Sequence, residues 1–161
     1  MSDLRKFRLV LGLFVLALIL SGITAFPLRH ELDFLASFIH PNETDSGLGF
    51  WILTVHDGLR ESYAKYPWLA YGTDWLAFAH IVIAIFFLGP LIDPVRNVWV
   101  LKAGMIACVL VIALAMICGP IRQIPFGWRL IDCSFGVFGF VPLYYCLRVV
   151  RRLEKNVNPN Q

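Results

Sequence analysis

The chain has 161 residues, of which 58% are hydrophobic and 16% are charged, and its mean hydropathy is +0.70. A soluble domain carries about a quarter charged residues, so a soluble fold of this composition would leave large apolar patches in water. The composition excludes an ordinary soluble domain and predicts an integral membrane protein with one domain, residues 1–161. The net charge of +3 is small and gives no reason to expect a nucleic-acid partner.

The first apolar segment, residues 8–26, is long enough to span a membrane as a helix. It follows the basic sequence RKFR, and a basic start before an apolar core is also typical of a signal peptide. The apolar run is long for a signal, however, and Ile23 stands where a cleavage site needs a small residue. We therefore interpret the segment as a retained membrane helix.

The connection to the next span, residues 27–74, is too long for a simple connector. Apolar residues recur at helical spacing in residues 28–39, and a second amphipathic stretch covers roughly residues 48–65. We predict two helices that lie on the membrane surface or cap the bundle. The spacing of the metal-binding residue types in this loop matches no metal motif and favours a solvated acidic face, so we predict no metal and no cofactor. These residues are His30, Glu31, Asp33, His40, His56, Asp57 and Glu61.

The second span, residues 75–92, contains no Asp, Glu, Lys or Arg but does contain His80. An ionisable side chain in a membrane usually faces the helix bundle and finds a polar partner there. His80 is either a neutral packing residue bonded to a nearby carbonyl, or a group that contacts a ligand or transfers protons. A haem ligand is disfavoured because no second histidine lies within a span. Asp74, directly before the span, is interpreted as a helix N-cap, with membership of a ligand site as the alternative.

A tight turn at residues 93–97 leads to the third span, residues 98–120, and the fourth span covers residues 129–150. Small residues in these two spans predict close packing of helices, and those of the fourth span, which stand among aromatic residues, could equally leave room for a flat ligand. The small residues are Ala115, Gly119, Ser134, Gly136 and Gly139. The four cysteines also lie in apolar stretches and form no CxxC pair, which favours free thiols over a disulfide framework or a zinc site.

The charge distribution predicts how the spans are oriented. Basic residues dominate both ends of the chain, whereas residues 27–74 contain seven acidic and three basic residues. Lys and Arg collect on the cytoplasmic side of membrane proteins. We therefore expect both termini in the cytoplasm, the long loop outside, and a plasma or inner membrane location.

The outer ends of the second and fourth spans place His80, Asp132 and Arg129 at similar depth. Arg129 and Asp132 are three residues apart, so a local ion pair between them is one interpretation. The other is a polar pocket roofed by the amphipathic loop, with apolar walls and a few convergent polar groups. In that interpretation His80 and Asp132 are the candidate catalytic pair. The predicted ligand-binding residues are His80, Asp132, Arg129, Arg122, Asp74 and Trp128.

The sequence FAHIVIAIFFLGP, residues 78–90, resembles the second span of the EXPERA-domain family, and SFGVFGFVPLYY, residues 134–145, is similar to its fourth span. That family includes the emopamil-binding-protein sterol isomerases. The resemblance implies four spans, cytoplasmic termini and a cavity for sterol-like or cationic amphiphilic ligands. His80 stands where such proteins carry a carboxylate, and Glu31 or Asp33 would have to replace the acid expected after the first span. By this resemblance, His80 would be one member of an acid/base pair and Asp132 or Asp74 the other.

Two functions from different classes follow. The first is an all-α, four-span membrane protein that binds a lipid or sterol-like ligand in the outer half of the membrane, with isomerase-type acid/base chemistry as an extension. The second is a non-catalytic accessory subunit of a respiratory or photosynthetic membrane complex, with partner chains or a second copy of itself as a homodimer.

The sequence contains no phosphate-binding loop and no hydrolase or metalloprotease motif.

Overall fold

The computed structural model describes residues 2–39 and 47–157, so His40 of the acidic loop lies outside the described residues. Within those ranges all regular elements are helical. They are α1 (Asp3–Ala25), α2 (Leu28–Ala36), α3 (Gly47–Lys65), a 3-10 helix (Pro67–Leu69), α4 (Ala70–Phe86), α5 (Leu88–Ile92), α6 (Val98–Ile121) and α7 (Phe126–Val157).

In residues 2–39 and 47–157, four helical segments are long and apolar enough to cross a membrane. They are Asp3–Ala25, Pro67–Ile92, Val98–Ile121 and Phe126–Lys155. The prediction of an all-α chain with four potential spans is therefore confirmed by length and composition. The two amphipathic stretches of the long loop are also helices, α2 and α3, as the spacing of their apolar residues predicts.

Two prolines explain where helices end. Pro27 disfavours helical geometry at the residue before it, and α1 ends at Ala25, two residues before this proline. The second span is broken at Phe87, between α4 and α5. Pro90 lacks the N–H that would bond to the carbonyl of Phe86, and its ring would clash with that carbonyl, so α4 stops there.

The described chain forms two compact units. One contains the residues up to Ala17 and those from Ile83 onward, and the other is Leu18–Val82. The first unit is built on α6 and α7. A Cβ atom added to Gly136 would lie 2.5 Å from the Cys108 carbonyl oxygen, and one added to Gly139 would lie 2.9 Å from its Sγ. The small residues therefore allow close helix packing, as predicted.

The start of α1 completes the core of this first unit. Phe7 and Leu11 are fully buried, and the buried thiol of Cys146 lies 3.9 Å from the Phe7 carbonyl oxygen. The rings of Phe14 and Phe87 meet edge to face with centroids 5.0 Å apart. The four cysteines are free, as the sequence predicts.

The predicted turn at residues 93–97 has the expected chemistry. The Asp93 side chain accepts a hydrogen bond from the Arg96 backbone N–H at 3.1 Å. The Asn97 amide donates to the carbonyl oxygens of Gly89 (3.2 Å) and Asp93 (2.9 Å), which ties α5 to the start of α6.

In the second unit, α2 packs against α3, and α3 also contacts the 3-10 helix. The end of α1 approaches α4 closely at Gly22. A Cβ atom there would lie 2.9 Å from the Ala77 carbonyl oxygen and 3.1 Å from the His80 Cβ. Gly22 therefore sets the spacing of the two helices at the level of His80.

Candidate functional site

A cleft at the start of α4 has mostly apolar walls and one carboxylate. Phe26, Tyr71, Asp74, Trp75 and Phe78 line a volume of about 300 Å³, which we call the Asp74 cleft. The four α4 residues share one face because positions three, four and seven apart lie above one another on a helix. Phe26 comes from the short link that follows α1. The cleft thus combines one face of α4 with the link that follows α1, within one compact unit.

The aromatic walls of the Asp74 cleft support one another. The Trp75 ring lies nearly perpendicular to Tyr71 (79°, centroids 5.9 Å apart) and to Phe78 (87°, 6.0 Å). Edge-to-face contacts of this kind contribute about 0.5–1.5 kcal/mol beyond area burial and restrict the rings. The rings remain exposed along the cleft, so they offer a fixed apolar surface to a molecule that enters it.

Asp74 is not the N-cap that the sequence indicates. The helix begins four residues earlier, at Ala70, because the 3-10 turn with Pro67 as its first residue leads directly into it. Asp74 therefore lies inside α4 as a half-buried carboxylate, while the Thr73 hydroxyl donates to the Ala70 carbonyl at 2.7 Å. The alternative interpretation, Asp74 as part of a ligand site, is the one that the cleft favours.

His80 does not line the Asp74 cleft. Its half-buried ring donates from Nδ1 to the Leu76 carbonyl oxygen at 2.8 Å. That bond leaves Nε2 as the nitrogen for any further partner. The hydrogen bond to the Leu76 carbonyl and the close approach of Gly22 fit the interpretation of His80 as a helix-packing residue. The contact of His80 with a ligand stays a prediction.

Arg129 and Asp132 form no ion pair within the described part of the chain, so that interpretation is wrong. The stem of Arg129 lies against Gly119 of α6, and its guanidinium sits 5.1 Å from the centre of the Phe126 ring. Its Nε is buried without a hydrogen-bond partner among the described groups. The stem thus packs against α6 while the guanidinium stays over a ring of its own helix, α7, on the side away from Asp132 in the sequence.

The six predicted ligand-binding residues fall into two groups. Asp74 and His80 lie in the unit Leu18–Val82, on different faces of α4. The other four lie at the end of α6 and the start of α7, in the other unit: Arg122, Trp128, Arg129 and Asp132. A single site that joins both groups, including the catalytic pair His80 and Asp132, stays a prediction.

A wider concavity of about 420 Å³ lies along α2, lined by Pro27, His30, Glu31, Phe34 and Leu35. Its lining comes from α2 and the proline before it, and it is about as open to its surroundings as the Asp74 cleft. The Asp74 cleft is the better candidate because it contains Asp74, one of the six predicted ligand-binding residues, whereas the concavity along α2 contains none of the six.

The acidic loop contains one arrangement that the sequence does not reveal. The Nε2 of His56 in α3 lies 2.8 Å from Asp33 Oδ1 in α2, and its Nδ1 lies 2.9 Å from Asp57 Oδ1. These bonds, first that to Asp33 and then that to Asp57, raise the pKa of His56 above its ordinary value of 6.5. The bond from His56 likewise lowers the pKa of Asp33 below 3.8. The solvated acidic face predicted for these residues is therefore wrong for His56, whose side chain is only 13% exposed.

These three residues do not converge on a point. The two nitrogens of an imidazole point away from each other, so Asp33 and Asp57 lie on opposite sides of the ring. No group of three or more metal-binding side chains with suitable placement occurs in residues 2–39 or 47–157. The arrangement is a bridge between two helices.

Comparison with known proteins found no matching family model, no matching curated protein and no matching solved structure. The resemblance to the EXPERA-domain family therefore stays a prediction, carried by the two sequence segments that suggested it.

Proposed function

We propose that this protein binds a lipid or sterol-like molecule, with the polar end of the ligand at Asp74. The observation that carries this proposal is the cleft itself: four aromatic side chains around one half-buried carboxylate. Small-molecule sites typically have apolar walls and a few polar groups that fix orientation. Asp74 is one of the six predicted ligand-binding residues, and it lies in the lining of this cleft.

The size of the cleft limits how much of a ligand it holds. A volume of about 300 Å³ is at the lower end for ligand pockets, so it would take the polar end and the adjoining part of a larger molecule. A hydroxyl or ammonium group would donate to the Asp74 carboxylate, and the flat or aliphatic part would lie on Trp75 and Phe78. The rest of the molecule would remain in the lipid beside α4.

The chemistry implied by the EXPERA resemblance belongs to the same proposal. Isomerisation of a sterol-like ring needs a proton donor and a proton acceptor on the substrate. The unbonded Nε2 of His80 is the nitrogen that would exchange that proton, with Asp132 or Asp74 as the partner. Binding at the Asp74 cleft does not depend on this step.

We also propose the orientation that the charges favour. The start of α1 and the end of α7, which together carry seven of the fourteen Lys and Arg residues, would face the cytoplasm of a plasma or inner membrane. The pair α2 and α3 and the start of α4 would then lie on the outer side. Tyr71 and Trp75 would stand at the outer interface, where amphipathic aromatic rings concentrate.

Binding can be tested with the full-length protein in lipid nanodiscs and a fluorescent sterol, read by energy transfer from tryptophan. Asp74→Asn should weaken binding about tenfold, because an amide replaces the acceptor of a charge-assisted hydrogen bond. Trp75→Leu should also weaken binding, whereas Trp99→Leu, an exposed tryptophan of α6, should not. Equal affinity for all variants would reject the Asp74 cleft as the site. A fluorescent fatty acid, tested in parallel, would distinguish a sterol-like ligand from a chain lipid.

The accessory-subunit alternative is favoured by the exposure of α6. In the most apolar stretch of this helix, 18 residues long, only 6% of the residues are buried, against 22%, 22% and 28% in the corresponding stretches of Asp3–Ala25, Pro67–Ile92 and Phe126–Lys155. Lipid tails alone can cover such an apolar surface, but a partner helix would pack on it equally well. Native mass spectrometry of the detergent-extracted protein distinguishes the two: a co-purifying chain supports the subunit role, and bound lipid on a single chain supports ligand binding.

A further inference from the structure

The bridge at His56 connects two helices that are separate in the sequence. Asp33 of α2 and His56 of α3 are 23 residues apart, and the segment between them includes residues that the structure does not describe. A neutral imidazole carries one N–H and can donate to only one carboxylate. Both nitrogens of His56 lie within hydrogen-bond distance of a carboxylate, at 2.8 Å from Asp33 and 2.9 Å from Asp57. The ring can donate to both carboxylates only when it is protonated. The bridge is therefore complete only in the imidazolium form.

The charged groups around the ring favour that form. Asp33 faces it from α2 and Asp57 faces it from α3, and both are acidic. Arg29 and His30 of α2 act on Asp33, whose pKa they lower slightly. The 3-10 helix, which also packs against α3, consists of Pro67, Trp68 and Leu69 and has no titratable side chain.

We propose that Asp33, His56 and Asp57 form a pH-sensitive latch that holds α2 against α3 most firmly while His56 is protonated and weakens this hold when His56 loses its proton. The inference does not depend on the ligand or on the Asp74 cleft. It assigns to these residues a conformational role that is separate from binding.

The sign of the pH dependence follows from the two shifted groups. The pKa of His56 is raised, so the latch is fully formed below pH 6.5 and is lost as the pH rises through the folded-state value. The pKa of Asp33 is lowered, so its contribution is present above pH 3.8 and is lost as the pH falls through its folded-state value. The latch is strongest in the mildly acidic range between these limits.

The latch matters because little else fixes α2. Leu32 is the only buried residue of this nine-residue helix, and Phe34, Leu35 and Phe38 on and just after it remain exposed. A helix this short is not stable by itself in water and depends on its contacts. A neutral His56 has no positive charge and one N–H for two carboxylates, so its bond to Asp33 is weaker and competes with the bond to Asp57.

Hydrogen exchange of the full-length protein in nanodiscs tests the latch. The amides of α2 should exchange several-fold more slowly in wild type than in His56→Gln at about pH 5.5, and at similar rates in both at about pH 8, outside the histidine range. The comparison at equal pH removes the chemical pH dependence of exchange. His30→Gln removes an imidazole from α2 itself and should keep most of the protection at the lower pH. A rate ratio between wild type and His56→Gln that is the same at both pH values would overturn the proposal.

A second measurement reads the protonation of His56 directly, first in the wild-type protein and then in one conservative variant. The His56 ring signal in the NMR spectrum of the wild-type protein should titrate with a midpoint above 6.5, and Asp57→Asn should lower that midpoint. A midpoint at or below the ordinary value, or one that Asp57→Asn leaves unchanged, would contradict the latch.

Discussion

Gly136 of α7 lies so close to Cys108 of α6 that a methyl group on Gly136 would come within 2.5 Å of the Cys108 carbonyl oxygen. A backbone atom cannot turn aside as the end of a flexible side chain can. The two helices would have to separate along their interface to admit even one carbon atom. This contact is therefore a sensitive point of the unit formed by α6 and α7.

Gly136→Ala should lower the free energy of unfolding by about 1–3 kcal/mol, the usual cost of overpacking, despite the better helix propensity of alanine. Gly12→Ala in α1 is the matched control, because a Cβ atom there would meet nothing within 4 Å. The control should be neutral or slightly stabilising. Thermal unfolding in detergent gives both values. An unfolding temperature of Gly136→Ala equal to that of Gly12→Ala would show that α6 and α7 are less closely packed than the structure indicates.

His80→Ala separates the two interpretations of the histidine. If Nε2 contacts the ligand, the variant should lose about tenfold or more in affinity while its unfolding temperature changes little, because the bond to Leu76 is local to one helix. His80→Gln, which can still donate a hydrogen bond, should recover part of the binding. Paired ligand-binding and thermal-melt measurements decide the matter. Loss of stability that parallels the loss of binding would leave His80 as a packing residue.

Much of the fold follows from local sequence signals. The apolar runs predict the four spans, helical periodicity predicts α2 and α3, and Asp93 and Pro94 predict the turn. Each of these signals depends only on neighbours in the chain. The same kind of local signal is misleading at the start of α4. Asp74 has the chemistry of an N-cap, but Pro67 begins the helical segment earlier and carries the chain into α4.

The contacts of the polar side chains depend on how the helices pack, and the sequence does not reveal this. Arg129 and Asp132 have the spacing of an ion pair, yet Arg129 packs on Gly119 and Phe126, which no spacing rule reveals. His56 and Asp33 meet only because α2 and α3 pack together. In the sequence, the only indication of this bridge is the neighbouring pair His56 and Asp57 in an amphipathic helix. That pair does not indicate that Asp33 is the second carboxylate.

The orientation in the membrane gives a third prediction. Green fluorescent protein fused after residue 161 should fluoresce, because the basic end of α7 is expected in the cytoplasm. Alkaline phosphatase fused after Lys65 should be active, because that position would lie outside. Fusion of the phosphatase after Asn97, in the turn between the second and third spans, is the control and should be inactive. The reverse pattern would place the acidic loop in the cytoplasm and move the Asp74 cleft to the inner leaflet.

Ligand binding should weaken as the pH rises through the pKa of His56, if both the cleft and the latch are as proposed. Phe26 lines the Asp74 cleft, and only Pro27 separates it from α2, so a weaker hold of α2 on α3 relaxes the restraint on that wall. The dissociation constant of the fluorescent sterol, measured in nanodiscs from about pH 5.5 to about pH 8, should rise across the histidine range in wild type. His56→Gln should bind weakly and with little change over the same range, since it has no proton to lose. An equal pH dependence in His56→Gln would mean that a different group controls the cleft, even if hydrogen exchange shows that the latch itself exists.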